Sequence, residues 1–333
     1  MRIAILTDAW APQISGVVTT LTRTIAELGL MGHEVRCIHP GRYRKTIPCP
    51  TYPQIRLAVQ PMGLLTRTLD RFAPEAIHIV TEGPIGVAGR LYCRRRGRRF
   101  STAFCTRFDE YIEMRFGIPG RFVFGLMRWF HNGAARVMIS SAPLKRELED
   151  RGFRNLALWP RGVDTDLFRP RDKSFLKLPR PVFTYVGRVA VEKNIEGFLS
   201  LDLPGSKLVV GDGPALEDMR KAYPDARFVG ARTGEELARH YAASDVFVFP
   251  SRTDTFGIVM LEAMACGVPV AGLPVRGPVD IVAPGRTGYL SEDLAWAARK
   301  CLDLSPDACR RAALPYSWRK SAAAFVENLA PDP

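Results

Sequence analysis

No apolar run in this sequence approaches the length of about 20 residues that a membrane-crossing helix needs, so any meeting with a bilayer is expected to be from its surface. The opening Met1–Asp8 reaches an acid after a short apolar stretch and reads as a first strand, not as a signal peptide. Paired cysteines are lacking as well. Seven cysteines, Cys37, Cys49, Cys93, Cys105, Cys266, Cys301 and Cys309, are scattered with no C-x-x-C pair. That excludes a disulfide framework and a structural zinc site, and fits a reducing cytoplasm. His33, His39, His78, His131 and His240 show no metal-ligand spacing, and no metal is expected. Internal repeats and low-complexity tracts are absent.

Acid is scarce in one half only. Residues 1–165 hold 25 Lys and Arg against 13 Asp and Glu, whereas residues 166–333 hold 22 against 21. Nearly all of the formal charge of +13 therefore lies in the first half, which points to an anionic partner there, a membrane or a nucleic acid.

A chain of 333 residues, 47% hydrophobic and 24% charged, suits two globular domains. Strand and helix alternate twice over. Ile3–Leu6, Glu34–His39, Ala76–Val80, Phe100–Phe104 and Arg136–Ile139 read as strands, with helices at Gly16–Leu30 and Pro84–Arg96. Asp164 to Pro181, with Pro170, Pro179 and Pro181 among charges, has linker composition. Strands resume at Val182–Val186, Lys207–Val210, Arg227–Val229, Val246–Phe249 and Val268–Ala271, with a short helix at Gly257–Ala265. The expected fold class is α/β: two doubly wound, Rossmann-like domains facing a cleft, with ligands at the carboxyl ends of the strands.

Two loops carry the chemistry. In Gly187-Arg188-Val189-Ala190-Val191-Glu192-Lys193-Asn194, a helix expected near Glu192 offers N–H groups to phosphate, and Arg188 and Lys193 add cations. In the stretch from Phe249 to Ala263, Asp254 ends a loop and Gly257 lets the backbone approach a ligand. The amides of Ile258 and Val259 are expected at a helix N-terminus, where they could bond a diphosphate, and Glu262 lies one turn into the helix.

These segments resemble the signature of retaining glycosyltransferases of family 4 (glycosyl transferases group 1), which have the two-Rossmann GT-B fold. Gly16-Val17-Val18, Arg161-Gly162-Val163-Asp164-Thr165-Asp166-Leu167-Phe168, Val210-Gly211-Asp212-Gly213-Pro214 and Tyr316-Ser317-Trp318 fit it in order. The resemblance implies an acceptor-binding domain over 1–165, a nucleotide-sugar domain over 182–316, and a helix at 317–329 that crosses back to the first. It also implies that Arg188 and Lys193 neutralise the donor diphosphate and that Asp254 contacts the donor sugar. Gly16, Gly187, Gly257, Ile258, Val259 and Glu262 would bind the donor, Glu262 through the ribose. A UDP-sugar is favoured over a GDP-sugar, with no cofactor. Relatives commonly have His where this chain has Cys105, a possible sugar contact; a thiol is a poorer hydrogen-bond partner. Asp164-Thr165-Asp166 resembles a D-x-D metal motif but sits in a segment the family shares, so it is read as structural.

The acceptor side carries Arg94, Arg95, Arg96, Arg98 and Arg99, and a segment with Arg121, Phe122, Arg128 and Trp129, a composition suited to anionic lipid. Segments around Thr253–Gly257 and Val275–Asp280 look similar to bacterial diacylglycerol glycosyltransferases and related mannosyltransferases. The expectation is a peripheral enzyme on the inner face of the cell membrane that moves a hexose or uronic acid to a lipid such as diacylglycerol. Three alternatives stay open: a soluble GDP-mannose- or UDP-sugar-dependent transferase for a saccharide, a non-catalytic sugar-nucleotide-binding protein, and a nucleic-acid binder. The last lacks a reader motif, so no nucleic acid is expected.

Overall fold

A computed structural model describes residues 1–13, 15–49, 52–109, 112–113, 119–252 and 256–331. They form two compact units, Met1–Arg161 with Trp318–Pro333, and Gly162–Ser317.

The first unit begins with β1 (Arg2–Leu6), α1 (Gly16–Leu30), β2 (Glu34–Ile38), β3 (Thr46–Cys49), β4 (Tyr52–Ala58) and α2 (Met62–Phe72). It continues through β5 (Ala76–Ile79), α3 (Pro84–Arg96), β6 (Ser101–Ala103), α4 (Gly120–His131), β7 (Arg136–Ile139), α5 (Ala142–Asp150) and β8 (Leu156–Leu158). Six strands make one parallel sheet in the order β2-β1-β5-β6-β7-β8. Side chains alternate across it, as a strand requires. Ala4 and Leu6 of β1 join a core with Leu65, Leu69, Ile85 and Phe130, while Ile3 and Ile5 join Leu21, Leu28 and Phe325 on the other face. The antiparallel hairpin β3–β4 lies outside this sheet and outside the alternation read from sequence. Pro48 and Pro53 hid it, because proline inside a run argues against a strand except at an edge.

The second unit holds β9 (Val182–Val186), α6 (Glu196–Leu199), β10 (Ser206–Val210), α7 (Leu216–Ala222), β11 (Arg227–Phe228), α8 (Gly234–Ala242) and β12 (Val246–Phe249). After them come α9 (Ile258–Ala265), β13 (Val270–Gly272), α10 (Pro278–Ile281), β14 (Gly288–Leu290), α11 (Leu294–Cys301) and α12 (Pro306–Ala313). Its sheet is also parallel, in the order β11-β10-β9-β12-β13-β14. Val182 and Val186 enter one core, Phe183 and Tyr185 the other.

The terminal helix α13 (Trp318–Glu327) belongs to the first unit. Its Phe325 ring packs on Trp159 at 5.1 Å and on His78 at 4.8 Å, and Ser321 Oγ donates to Pro160 O at 2.7 Å.

The Pro-rich stretch Asp164 to Pro181 is not a loose linker but a strap packed within the second unit. Phe168 is buried against Tyr241, ring centroids 5.8 Å apart. Arg171 pairs with Glu235. Lys173 and Arg180 converge on Asp245 at 2.8 and 2.6 Å. Burial pushes the Asp245 carboxyl up, but these two cations and the Val182 N–H outweigh it and hold the group below its ordinary range.

Candidate active site

In a doubly wound sheet the ligand crevice opens where strand order reverses, beyond the carboxyl ends. In the second unit that place lies between β9 and β12. Their pairing runs only through Val246–Phe183 and Phe247–Thr184, so the strands part toward the carboxyl edge. The loops that follow them meet there: Asn194 Nδ2 donates to Pro250 O at 3.0 Å.

The loop after β9 holds Gly187, Arg188 and Lys193, with both cations half-buried. The helix expected near Glu192 is replaced by a 3-10 turn, Val191–Lys193, closed by Asn194 at φ 50°. Asn tolerates that left-handed backbone, and it stops the turn from growing. Only the four residues of α6 follow. The loop is braced from behind by Val189 N, which donates to Asp212 O at 3.0 Å. A Cβ on Gly213 would lie 2.3 Å from Val189 O, so this contact needs glycine.

Gly257 precedes α9 with φ 86°, a backbone that side chains resist. Ile258 and Val259 follow, half-buried, at the helix start, where free N–H groups collect. Glu262 is buried in the α9–α8 contact, not solvated, and its Oε2 accepts the Tyr241 hydroxyl at 3.0 Å. Burial and then Glu262 raise the Tyr241 phenol well above its usual range, so it stays a donor. Asp254, read as a contact of the donor sugar, lies outside the described residues.

The carboxyl edge of the first sheet carries a second polar set, mostly missed from sequence. Gly16 opens α1 behind Ser15, whose Oγ accepts Val18 N–H at 3.4 Å. Asp8, after β1, is buried and accepts N–H groups of Ile85 and Gly86 at 3.0 and 3.3 Å, along with the Thr81 hydroxyl at 2.9 Å. Its carboxylate caps α3. Burial nonetheless raises its pKa, against the lowering effect of those hydrogen bonds. His131 spans Thr102 Oγ1 at 2.9 Å and Glu82 Oε1 at 2.8 Å. Cys105, after β6, is partly exposed, and its sulfur meets Arg161 Nη2 at 3.7 Å.

The basic residues read as acceptor contacts separate into groups. Arg94, Arg95 and Arg99 are exposed. Arg96 is also exposed but pairs with Asp70 at 2.8 Å. Arg98 is half-buried and donates to Pro74 O, so its reach serves the fold and not an outside partner. On α4, Phe122, Leu126 and Trp129 are 63%, 63% and 52% exposed. Their i, i+4, i+7 spacing puts them on one stripe, with Arg121 and Arg128 exposed beside it. The Arg90 guanidinium of α3 stacks on Trp129, 3.8 Å from the ring centroid.

Asp164 Oδ1 accepts the N–H groups of Asp166 and Leu167 at 3.2 and 3.0 Å, which makes it a turn residue. Among the described residues no cluster of His, Cys, Asp and Glu is arranged to hold a metal ion, and no helix is long and apolar enough to cross a membrane.

Residues 14–167 match the family model described as Glycosyltransferase Family 4, and residues 180–307 match that described as Glycosyl transferases group 1. A GDP-mannose-dependent alpha-mannosyltransferase of Mycobacterium tuberculosis is 30% identical, over 87% of this chain and 83% of that protein. The alpha-monoglucosyldiacylglycerol synthase of Streptococcus pneumoniae is 26% identical, over 92% of this chain and 79% of that one. The chain is similar in architecture to sucrose-phosphate synthase from Thermosynechococcus elongatus, with a TM-score of 0.78 at 22% identity, covering 98% and 97% of the two chains.

Proposed function

The chain belongs to glycosyltransferase family 4 and is a GT-B glycosyltransferase that takes its sugar from a nucleotide sugar; from that premise we propose that it moves a hexose or uronic acid from a UDP-sugar, with retention, to a lipid such as diacylglycerol at the inner face of the cell membrane. The observation that carries the lipid half of this reading is the α4 stripe. Three large apolar side chains stand in solvent on one helix face, rimmed by Arg121 and Arg128 and joined to α3 through Arg90. Such a stripe suits the headgroup boundary, where apolar bodies enter and arginines pair with anionic lipid. It lies in the unit that carries the excess positive charge. A relative whose name specifies diacylglycerol supports the same reading.

At the second sheet Arg188 and Lys193 neutralise the departing diphosphate in place of a metal. The amides of Ile258 and Val259 hold its oxygens, Glu262 accepts from the ribose, and Asp254 accepts from the sugar. Fixed charge aimed at the leaving group is the main source of rate in this account.

A second reading of the donor, GDP-mannose, is favoured by the relative that is 30% identical. Thermal-shift titration with UDP and GDP separates the two, since the better ligand raises Tm more. The membrane reading is tested by vesicle co-sedimentation. Binding is expected to rise with phosphatidylglycerol content and to fall with salt. Binding indifferent to both, or none, overturns it.

A further inference from the structure

We propose that Arg161 is the counter-charge for an oxyanion carried by a substrate, held against its guanidinium beside the Cys105 thiol at the carboxyl edge of the first sheet. Arg161 is only 6% exposed. Its guanidinium lies on the Trp159 ring, 4.3 Å from the centroid. Nη1 donates to Trp159 O at 3.4 Å, and Nη2 reaches Cys105 Sγ at 3.7 Å. Neither partner is an anion. Burial raises the Cys105 pKa further than Arg161 lowers it, so the thiol keeps its proton at neutral pH. Among the described residues no carboxylate pairs with Arg161. Glu82, the acid whose field reaches Cys105, is engaged by His131 at 2.8 Å.

The same unit shows how a structural buried arginine is treated. Arg107, 5% exposed, meets both Asp109 oxygens at 3.0 and 2.9 Å and Glu147 at 2.9 Å. Arg161 has no such neutralisation, and an uncompensated buried charge is strongly unfavourable. Its field also reaches inward: burial first, then Arg161, depresses the His78 imidazole to about 3. A fold that keeps a charge at that cost has a use for it, and a planar guanidinium suits the two oxygens of a carboxylate or phosphate. Entry is from the thiol side, since Cys105 and Thr106 are partly exposed.

The transferase reading enters only in naming the source: a uronate carboxylate on the donor sugar, or an anionic group on the acceptor. The primary test needs no turnover, so it stands apart from that reading. The full-length protein is alkylated with iodoacetate and, separately, with neutral iodoacetamide. Labelling of Cys105 is read by peptide mass spectrometry against Cys49, the other partly exposed cysteine. Iodoacetate is expected to be favoured at Cys105 by about tenfold over the ratio at Cys49, as for a charge-assisted contact. Arg161→Gln should bring the ratio down to that of Cys49, and Arg161→Lys should keep part of the preference. A wild-type ratio equal to that of Cys49, or one unchanged in Arg161→Gln, overturns the proposal.

Protection from alkylation then assigns the source. UDP-glucuronate shielding Cys105 better than UDP-glucose places the oxyanion on the donor. Phosphatidylglycerol micelles shielding it better than neutral diacylglycerol micelles place it on the acceptor. No difference within either pair overturns the proposal. Arg161→Met should unfold at the wild-type temperature or above, because it removes an uncompensated charge; a clear fall would make Arg161 a structural group and overturn it too.

Discussion

A departing diphosphate needs positive charge at a fixed place, and Arg188 and Lys193 share one braced loop. Lys193→Ala is expected to lower kcat about 100- to 1,000-fold with the fold intact, the usual loss when one preorganised stabilising group is removed. Steady-state kinetics with saturating donor measures it, and a change confined to KM would contradict the role. Tyr241 and Glu262 make a different kind of statement. Tyr241→Phe takes the hydroxyl from Glu262 Oε2 in a buried site and should cost about 1–3 kcal/mol of stability. Urea unfolding reads that cost, and an unchanged midpoint would mean that the hydrogen bond is not formed in solution.

Single elements carry the next predictions. Leu126→Glu on α4 changes an exposed position, so stability should stay within about 0.5 kcal/mol while vesicle affinity falls at least about tenfold. Co-sedimentation beside a thermal melt separates the two effects, and equal vesicle binding would remove α4 from the account. The strap over 164–181 makes a pH prediction. The Asp245 carboxyl is held low in the folded state by Lys173 and Arg180. Its contribution is therefore fully present above the unfolded aspartate pKa near 3.8 and is lost as pH falls through the lower folded value. Asp245→Asn should cost about 1–2 kcal/mol at pH 7, discounted because both cations are partly exposed. The cost should shrink in acid, and one that grew below pH 4 would reverse the sign. The inner strands β1, β5, β9 and β12 were legible because each is a short, mostly apolar run with a loop after it, whereas the three-residue edge strands β8 and β14 are too short to carry a pattern and were not read. Elements dominated by proline were not: Pro48 and Pro53 masked a hairpin, and Pro170, Pro179 and Pro181 made a packed strap look like a linker. Gly187, Arg188 and Lys193 in the loop after β9 could be read directly, but the turn at Val191–Lys193 could not, since Asn194 cuts short what looked like a helix start. Arg161 with Cys105, and His131 with Glu82, are 56 and 49 residues apart in sequence. Sheet order brings them together, and no local periodicity announces it.

At the scale of the whole molecule, the two sheets share an architecture but not a charge. The excess of Lys and Arg over acids lies almost wholly in residues 1–165, the half that also carries the α4 stripe. The other half presents a strand-order reversal with two cations and a helix start, the makings of a diphosphate site. On the proposed reading, the first half meets an anionic surface and the second holds a nucleotide sugar, the arrangement expected of an enzyme that glycosylates a lipid in place. The measurement that tests this most directly is transfer itself: purified protein, UDP- and GDP-sugars, and diacylglycerol in mixed micelles, with products read by mass spectrometry. A glycosylated diacylglycerol, made by the wild type and nearly abolished in Lys193→Ala, is the predicted result. Sugar transferred only to water-soluble acceptors, or a lipid product formed equally well by Lys193→Ala, would contradict it.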